Sequence, residues 1–297
     1  MGAVGSGLVL LTGSEGAIGR HLKGALLDSG YGVRGLDIRI ASHPHADHRR
    51  ADLRDLPALR DAVRGVDAVV HAGAIPTDRG DGAEVMATNV LGTWNVLQAA
   101  VEAGVRRVVA FSSINAQGSV GGLREVDHLP IDDDYPHHPM TPYQLSKHLA
   151  EEVCRSFSER HGLATVCLRP VWVAGPEDYR DAGFGTDTFL ERWRDDLWAY
   201  VDVRDVCDAV VRCLRVEGVL HDRFLLAARD TSVRVETPVL VEQELPAVPW
   251  PTIDPGTYFA VERHRSLVDC GRARTVLGWE ACHTWRDAHV ASAHASA

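Results

Sequence analysis

Three side chains have the types and spacing to move a proton on and off an alcohol oxygen: Ser113, Tyr143 and Lys147. Tyr143 and Lys147 stand four apart, which puts them on one face of a helix. A free phenol has a pKa of ~10, so a tyrosine acting as a base near pH 7 must be lowered by about three pH units, about 4 kcal/mol. A lysine ammonium one turn away favours the phenolate. Ser113 ends the apolar run 107–113, the polar tip of an expected strand, and its hydroxyl can hold the substrate oxygen. Tyr143 then takes the hydroxyl proton while hydride leaves the carbon for an acceptor. Thr141 as N-cap, Pro142 at the first helical position and Gln144 completing a capping box predict that a helix opens there.

The hydride acceptor is suggested by the stretch Leu8–Gly19, an apolar run that ends in Thr12 and a glycine-spaced turn. Gly13 permits the turn, Gly16 lets backbone approach a pyrophosphate, and Gly19 lets the next helix pack on the strand. Ala17 and Ile18 complete the phosphate turn at that helix's N-terminus, where free N–H groups favour negative charge. A second strand ends in Asp37, followed by Ile38, at the distance where an acid meets the adenosine ribose hydroxyls. A 2′-phosphate would meet that negative charge, so the cofactor expected is NAD rather than NADP; Arg39 is the dissenting residue. The positive ring of oxidised nicotinamide would further favour a Tyr143 phenolate.

The rest of the chain alternates strands and helices as an α/β protein does. Strands are expected at 7–12, 32–37, just before Asp52-Leu53, 67–71, 107–113, 164–170 and 223–228. Helices are expected at 16–29, 83–103, from 142 to 161, from Tyr200 to about Val216, and at 270–277. Asp52 and Leu53 are placed to meet adenine, and His71-Ala72-Gly73 to let a cofactor pass closely. The fold expected is a Rossmann-type doubly wound parallel sheet with a small C-terminal substrate-binding region. Residues 1–170, completed by 200–228, form the NAD-binding domain; 171–199 and 229–297 form the substrate-binding region. Residues 229–265 resist assignment, and the tail after Asp287 is expected to fray.

A net charge of −10 disfavours nucleic acid and anionic membranes as partners. No apolar run approaches the ~18 residues of a membrane span, and no secretory signal is evident. The six cysteines form no Cys-x-x-Cys pair and suggest buried thiols in a reducing cytoplasm. His43-Pro44-His45-Ala46-Asp47-His48 has the donors of a zinc hydrolase motif, but it lies in the loop after the second strand without a completing set, so no metal is expected.

Together Thr12–Gly19, Asp37, Asp52-Leu53, His71–Ala74, Asn89–Leu97, Ser112-Ser113, Tyr143/Lys147, Arg169-Pro170, Tyr200–Val206 and Leu277-Gly278-Trp279 resemble the extended short-chain dehydrogenase/reductases, the NAD-dependent epimerase/dehydratase family. The resemblance covers about residues 7–217. It implies Ser113, Tyr143 and Lys147 as the catalytic triad and adds Asn89 and Pro170, with Tyr143 and Lys147, to the cofactor site. It also implies a homodimer formed through the helices at about 83–103 and 142–161.

Two departures narrow the reaction. Ser113 is followed by Ile114-Asn115-Ala116-Gln117, where the family's dehydratases carry two carboxylates, so elimination of water is not expected. Only residues 177–199 separate Pro176 from Tyr200, a short span for the nucleotide pocket of the epimerases. In that length, and in Pro176–Arg180, the segment is similar to uronate dehydrogenases, but Pro76, Ile114 and Trp172 stand where those enzymes place polar contacts. The expected substrate contacts are Ile114, Asn115, Trp172 and Arg180, with Arg180 and Arg192 as candidate anion anchors. The function expected is oxidation or reduction of a secondary alcohol on a small sugar or sugar-acid-like molecule. The alternatives are a nucleotide-sugar epimerase that keeps its NAD and, last, a non-catalytic NAD sensor.

Overall fold

The computed structural model describes residues 7–41, 47–78 and 80–288. Its centre is a seven-stranded, all-parallel sheet built from β1 (Leu8–Thr12), β2 (Gly32–Asp37), β3 (His48–Arg50), β4 (Ala68–His71), β5 (Arg107–Phe111), β6 (Ala164–Pro170) and, last in sequence, the strand His221–Leu226. Their order across the sheet is β3-β2-β1-β4-β5-β6 and then His221–Leu226. The chain runs outward from β1 to β3 and then returns to β4 beside β1. Ligands of such sheets bind outside the strand ends at that reversal.

Both faces of the sheet are buried, as a parallel sheet requires. Leu10, Val69 and Val108 share one face, packed with Val96, Leu97 and Phe157. Their neighbours Leu11, Val70, Val109 and Val166 fill the other with Leu22, Leu26, Val206 and Val210. The helices that cover the first face are α2 (Leu56–Ala62), α4 (Gly92–Glu102) and α5 (Pro142–His161), with the short α3 (Gly82–Met86) packed against α5. The sequence expectation of one helix over 83–103 is corrected: a π turn, Ala87–Leu91, joins α3 to α4 and carries Asn89. The other face is covered by α1 (Ala17–Asp28) and by a later helix, Val203–Arg215.

After β6 the chain makes β7 (Trp172–Ala174), α6 (Asp178–Asp181), α7 (Asp187–Arg192) and β8 (Tyr200–Asp202), which pairs with β7 in a separate two-stranded sheet. This corrects the helix expected from Tyr200. Asp202 is an N-cap whose carboxylate accepts the Arg204 N–H at 2.8 Å, so α8 starts at Val203. The strand expected at 223–228 is His221–Leu226, here β9. Residues 229–265 contain α9 (Thr237–Glu244) and α10 (Pro255–Tyr258), and α11 follows at Gly271–Leu277. These later segments share the α1 side of the core: Trp198, Leu240, Tyr258, Trp279 and Trp285 join the cluster that contains Leu11 and Val109.

Candidate active site

The cleft lies at the reversal point between β1 and β4. Its floor depends on the glycine turn. Gly13 has φ of +68°, and a Cβ there would fall 2.6 Å from the Gly73 nitrogen. A Cβ on Gly19 would fall 2.1 Å from the Gly13 carbonyl. Backbone therefore meets backbone in a space no side chain can enter. Two cavities of about 560 and 200 Å³ share Gly13, Gly16, Arg39, Ala72 and Ala74 on their walls and form one continuous groove.

The 200 Å³ end is walled by Asp37, Ile38, Asp52, Leu53 and Gly73. Asp37 is buried, and its carboxylate accepts the Glu15 N–H and the Arg39 N–H, each at 3.0 Å. Those two backbone donors fix the acid at the strand end. Asp52 is clamped by Arg54 at 2.6–2.9 Å, and that hydrogen bond lowers its pKa. The groove's length, its floor of Gly13, Gly16 and Gly19 and an acid at one end fit a dinucleotide.

The 560 Å³ end collects Ser113, Tyr143 and Lys147 together with Pro170, Ile114, Asn115 and Trp172. Ser113 lies two residues past the end of β5 and caps the short turn Ile114–Gln117, accepting the Asn115 N–H at 3.2 Å. The α5 capping box predicted from Thr141 and Gln144 is present. Its entry is tied down by a residue not singled out in the sequence: Asp78 accepts the Thr141 hydroxyl and the Tyr143 N–H, both at 2.7 Å. Burial raises the Tyr143 phenol, and a hydrogen bond with Ser113 pulls it back. The Lys147 ammonium is buried, donates to the Phe111 carbonyl at 2.8 Å, and is lowered by burial to about 8. It lies 5.9 Å from the centre of the Tyr143 ring.

Two expected cofactor residues stand behind this wall. Both ring nitrogens of His71 are occupied, Nδ1 with the Thr12 hydroxyl at 2.7 Å and Nε2 with the Thr93 hydroxyl at 3.0 Å. Burial drives its pKa to about 3, so it stays neutral. The Asn89 amide bonds both backbone groups of Ile75, at 2.8 and 3.0 Å, and the Ser146 hydroxyl at 2.9 Å. It staples the loop after β4 to α5.

The substrate end is more apolar than the sequence reading implies. Pro76, Val120, Val171, Val173 and Trp193 wall it beside Ile114 and Trp172. Trp172 and Trp193 stack with ring centres 4.5 Å apart against buried Phe184 and Phe189. Within this wall the Trp193 indole N–H has no partner, and burial pushes the Asp196 carboxyl up to about 6. No periodic pattern in the sequence marks Trp193 or Asp196. Arg192 is exposed at the end of α7 and does not line the groove. Arg180 lies on α6, with its side chain outside the described residues. Residues 43–46 of the histidine loop are also outside the description. Among the described residues no group of three or more His, Cys, Asp or Glu is placed to hold a metal, and no helix is long and apolar enough to cross a membrane.

Residues 9–226 match the NAD-dependent epimerase/dehydratase family. Cinnamoyl-CoA reductase 1 of Petunia hybrida is 32% identical over 255 residues, which cover 74% of this chain and 76% of that protein. Uronate dehydrogenase of Pseudomonas putida is 34% identical over 164 residues, covering 54% of this chain and 59% of its own. A short-chain dehydrogenase/reductase superfamily protein from Agrobacterium tumefaciens, solved with bound NAD, superposes with a TM-score of 0.73 at 27% identity over 97% of both chains. The chain therefore belongs to the NAD-dependent epimerase/dehydratase family of extended short-chain dehydrogenase/reductases, and its cofactor is NAD.

Proposed function

We propose that this protein interconverts a secondary alcohol and its carbonyl on a small sugar-like substrate, with net release of reduced cofactor. The observation that carries this reading is the meeting of Ser113, Tyr143 and Lys147 on one groove wall beside the glycine floor. When bound, NAD supplies the chemistry of accepting or returning a hydride. Ser113 holds the substrate oxygen through its hydroxyl. Tyr143 takes the alcohol proton in oxidation and gives it back to the carbonyl oxygen in reduction. Lys147 keeps a positive charge near the phenol and offsets the burial that otherwise holds Tyr143 protonated. Gly13, Gly16, Ala17, Ile18, Gly19, Asp37 and Leu53 hold the cofactor in this reading, and 171–199 with 229–288 cover the substrate.

The sugar-like body is supported by the uronate dehydrogenase relative and by the short 177–199 segment. A second reading, an apolar-bodied carbonyl compound, is favoured by the wall of Pro76, Ile114, Trp172 and Trp193. The test is to mix enzyme and NAD with free sugars, sugar acids, nucleotide sugars and apolar secondary alcohols and to follow reduced nicotinamide. Accumulation with a free sugar or sugar acid is the expected result. Accumulation only with apolar alcohols selects the second reading, and inversion of a nucleotide sugar without reduced cofactor makes the protein an epimerase.

Calorimetric titration should show NAD bound about tenfold or more tighter than NADP, because the 2′-phosphate would approach the buried Asp37 carboxylate. Equal affinity would mean that Arg39 governs the site. A homodimer through α4 and α5 is part of the proposal, supported by the exposed Leu91, Trp94 and Leu145 and tested by sedimentation; a cytoplasmic location is the matching expectation.

A further inference from the structure

A second charged layer lies beneath Lys147. A small internal cavity of about 10 Å³ is walled by Lys147, Glu151, Ser112, Asn89, Thr93 and His71. That is close to the room one water needs. Glu151 stands one helical turn past Lys147 on α5 and is 1% exposed. Its carboxylate accepts the Ser112 hydroxyl at 2.5 Å and two N–H groups of Arg169, at 2.8 and 2.7 Å. Arg223 approaches to 3.6 Å. Among the other titratable groups facing Lys147, His71 from β4 is held neutral, Cys167 from β6 is pushed well above its usual range, and the Tyr143 phenol is raised by burial. Glu151 is thus the anion on that side of the lysine.

We propose that Glu151 is a positioning residue for Lys147: fixed by Ser112 and Arg169, its carboxylate faces the ammonium across the cavity and keeps it protonated inside the protein. The proposal rests on the Ser113–Tyr143–Lys147 reading, since a charged lysine matters there only if it lowers the phenol. Burial alone depresses Lys147, and Glu151 opposes that effect. Losing Glu151 also leaves the Arg169 charge uncompensated, which drives Lys147 the same way.

The sequence makes the test clean, because Lys23 and Lys147 are its only lysines. With ¹³C-lysine labelling the full chain gives two side-chain titrations by NMR, with neither substrate nor cofactor present. The wild-type Lys147 midpoint is expected near 8. Glu151→Gln should lower it by about one pH unit or more, Glu151→Asp should restore most of that loss, and Lys23 should not move. An unchanged Lys147 midpoint in Glu151→Gln overturns the proposal. If that variant does not fold, a wild-type midpoint already at or below about 7 overturns it too. The catalytic reading fails separately, by persistent turnover of Tyr143→Phe.

Discussion

Tyr143→Phe is expected to lower kcat by at least about 100-fold, the size of a lost general acid/base, while NAD affinity stays near wild type. The substitution removes one oxygen and leaves the ring, the α5 capping box and the Lys147 bond to Phe111 in place. Steady-state rates beside calorimetric titration separate the two quantities. Near-normal kcat would show that the proton moves elsewhere. A parallel loss of NAD binding would show that the phenol serves the cofactor site instead.

Arg169→Met is expected to destabilise the fold by about 3–5 kcal/mol, as breaking a buried ion pair by removing one partner does. Arg169 is completely buried, and besides Glu151 its guanidinium holds the Asp133 carbonyl at 2.9 Å and contacts His137 Nε2 at 3.1 Å. With Arg169 in place, His137 is pushed down to about 4 by burial and then by Arg169, so Arg169 is the cation that faces Glu151 there. The Glu151 carboxylate would be left buried with the Ser112 hydroxyl as its hydrogen-bond donor, and with Arg223 at 3.6 Å and Lys147 across the small cavity as the remaining cations. Arg155, which pairs with Glu152 and Glu159 on the exposed side of α5, serves as the control. Denaturant midpoints should fall strongly for Arg169→Met and barely for Arg155→Met. Equal shifts would mean that the buried network contributes no more than a surface pair.

What could be read from the sequence was what short-range rules govern. Thr141, Pro142 and Gln144 announce the start of α5, and the fourfold spacing of Tyr143 and Lys147 then follows from helix geometry. The glycines at 13, 16 and 19 are required by close backbone contacts, so their spacing carried the turn. Tyr200–Asp202 is a strand where a helix is expected, although the sequence carries the signal: Asp202 is a capping residue, and the helix begins after it. The π turn at Ala87–Leu91 left no mark in composition. Asn89 and His71 sit inside matching motifs, but their side chains are consumed by Ile75, Ser146, Thr12 and Thr93. The Glu151–Arg169 pair joins a helix to a strand, and Asp78 reaches α5 from the loop after β4. Contacts of that range depend on the folded topology and on no local period. The aromatic wall of Trp172 and Trp193 arises for the same reason, from β7 and the end of α7 brought side by side.

The most direct measurement of the central claim is the ionisation of Tyr143 itself. Phenolate absorbance is followed against pH for wild type minus Tyr143→Phe, with NAD bound. Burial pushes Tyr135, Tyr179, Tyr200 and Tyr258 upward, so none of them adds a low midpoint. In the free protein the Tyr143 midpoint should lie above that of an ordinary phenol. With NAD bound it should fall to about 7, where a tyrosine can act as a base. A midpoint that stays at or above ~10 with NAD bound would contradict Tyr143 as the acid/base of this site.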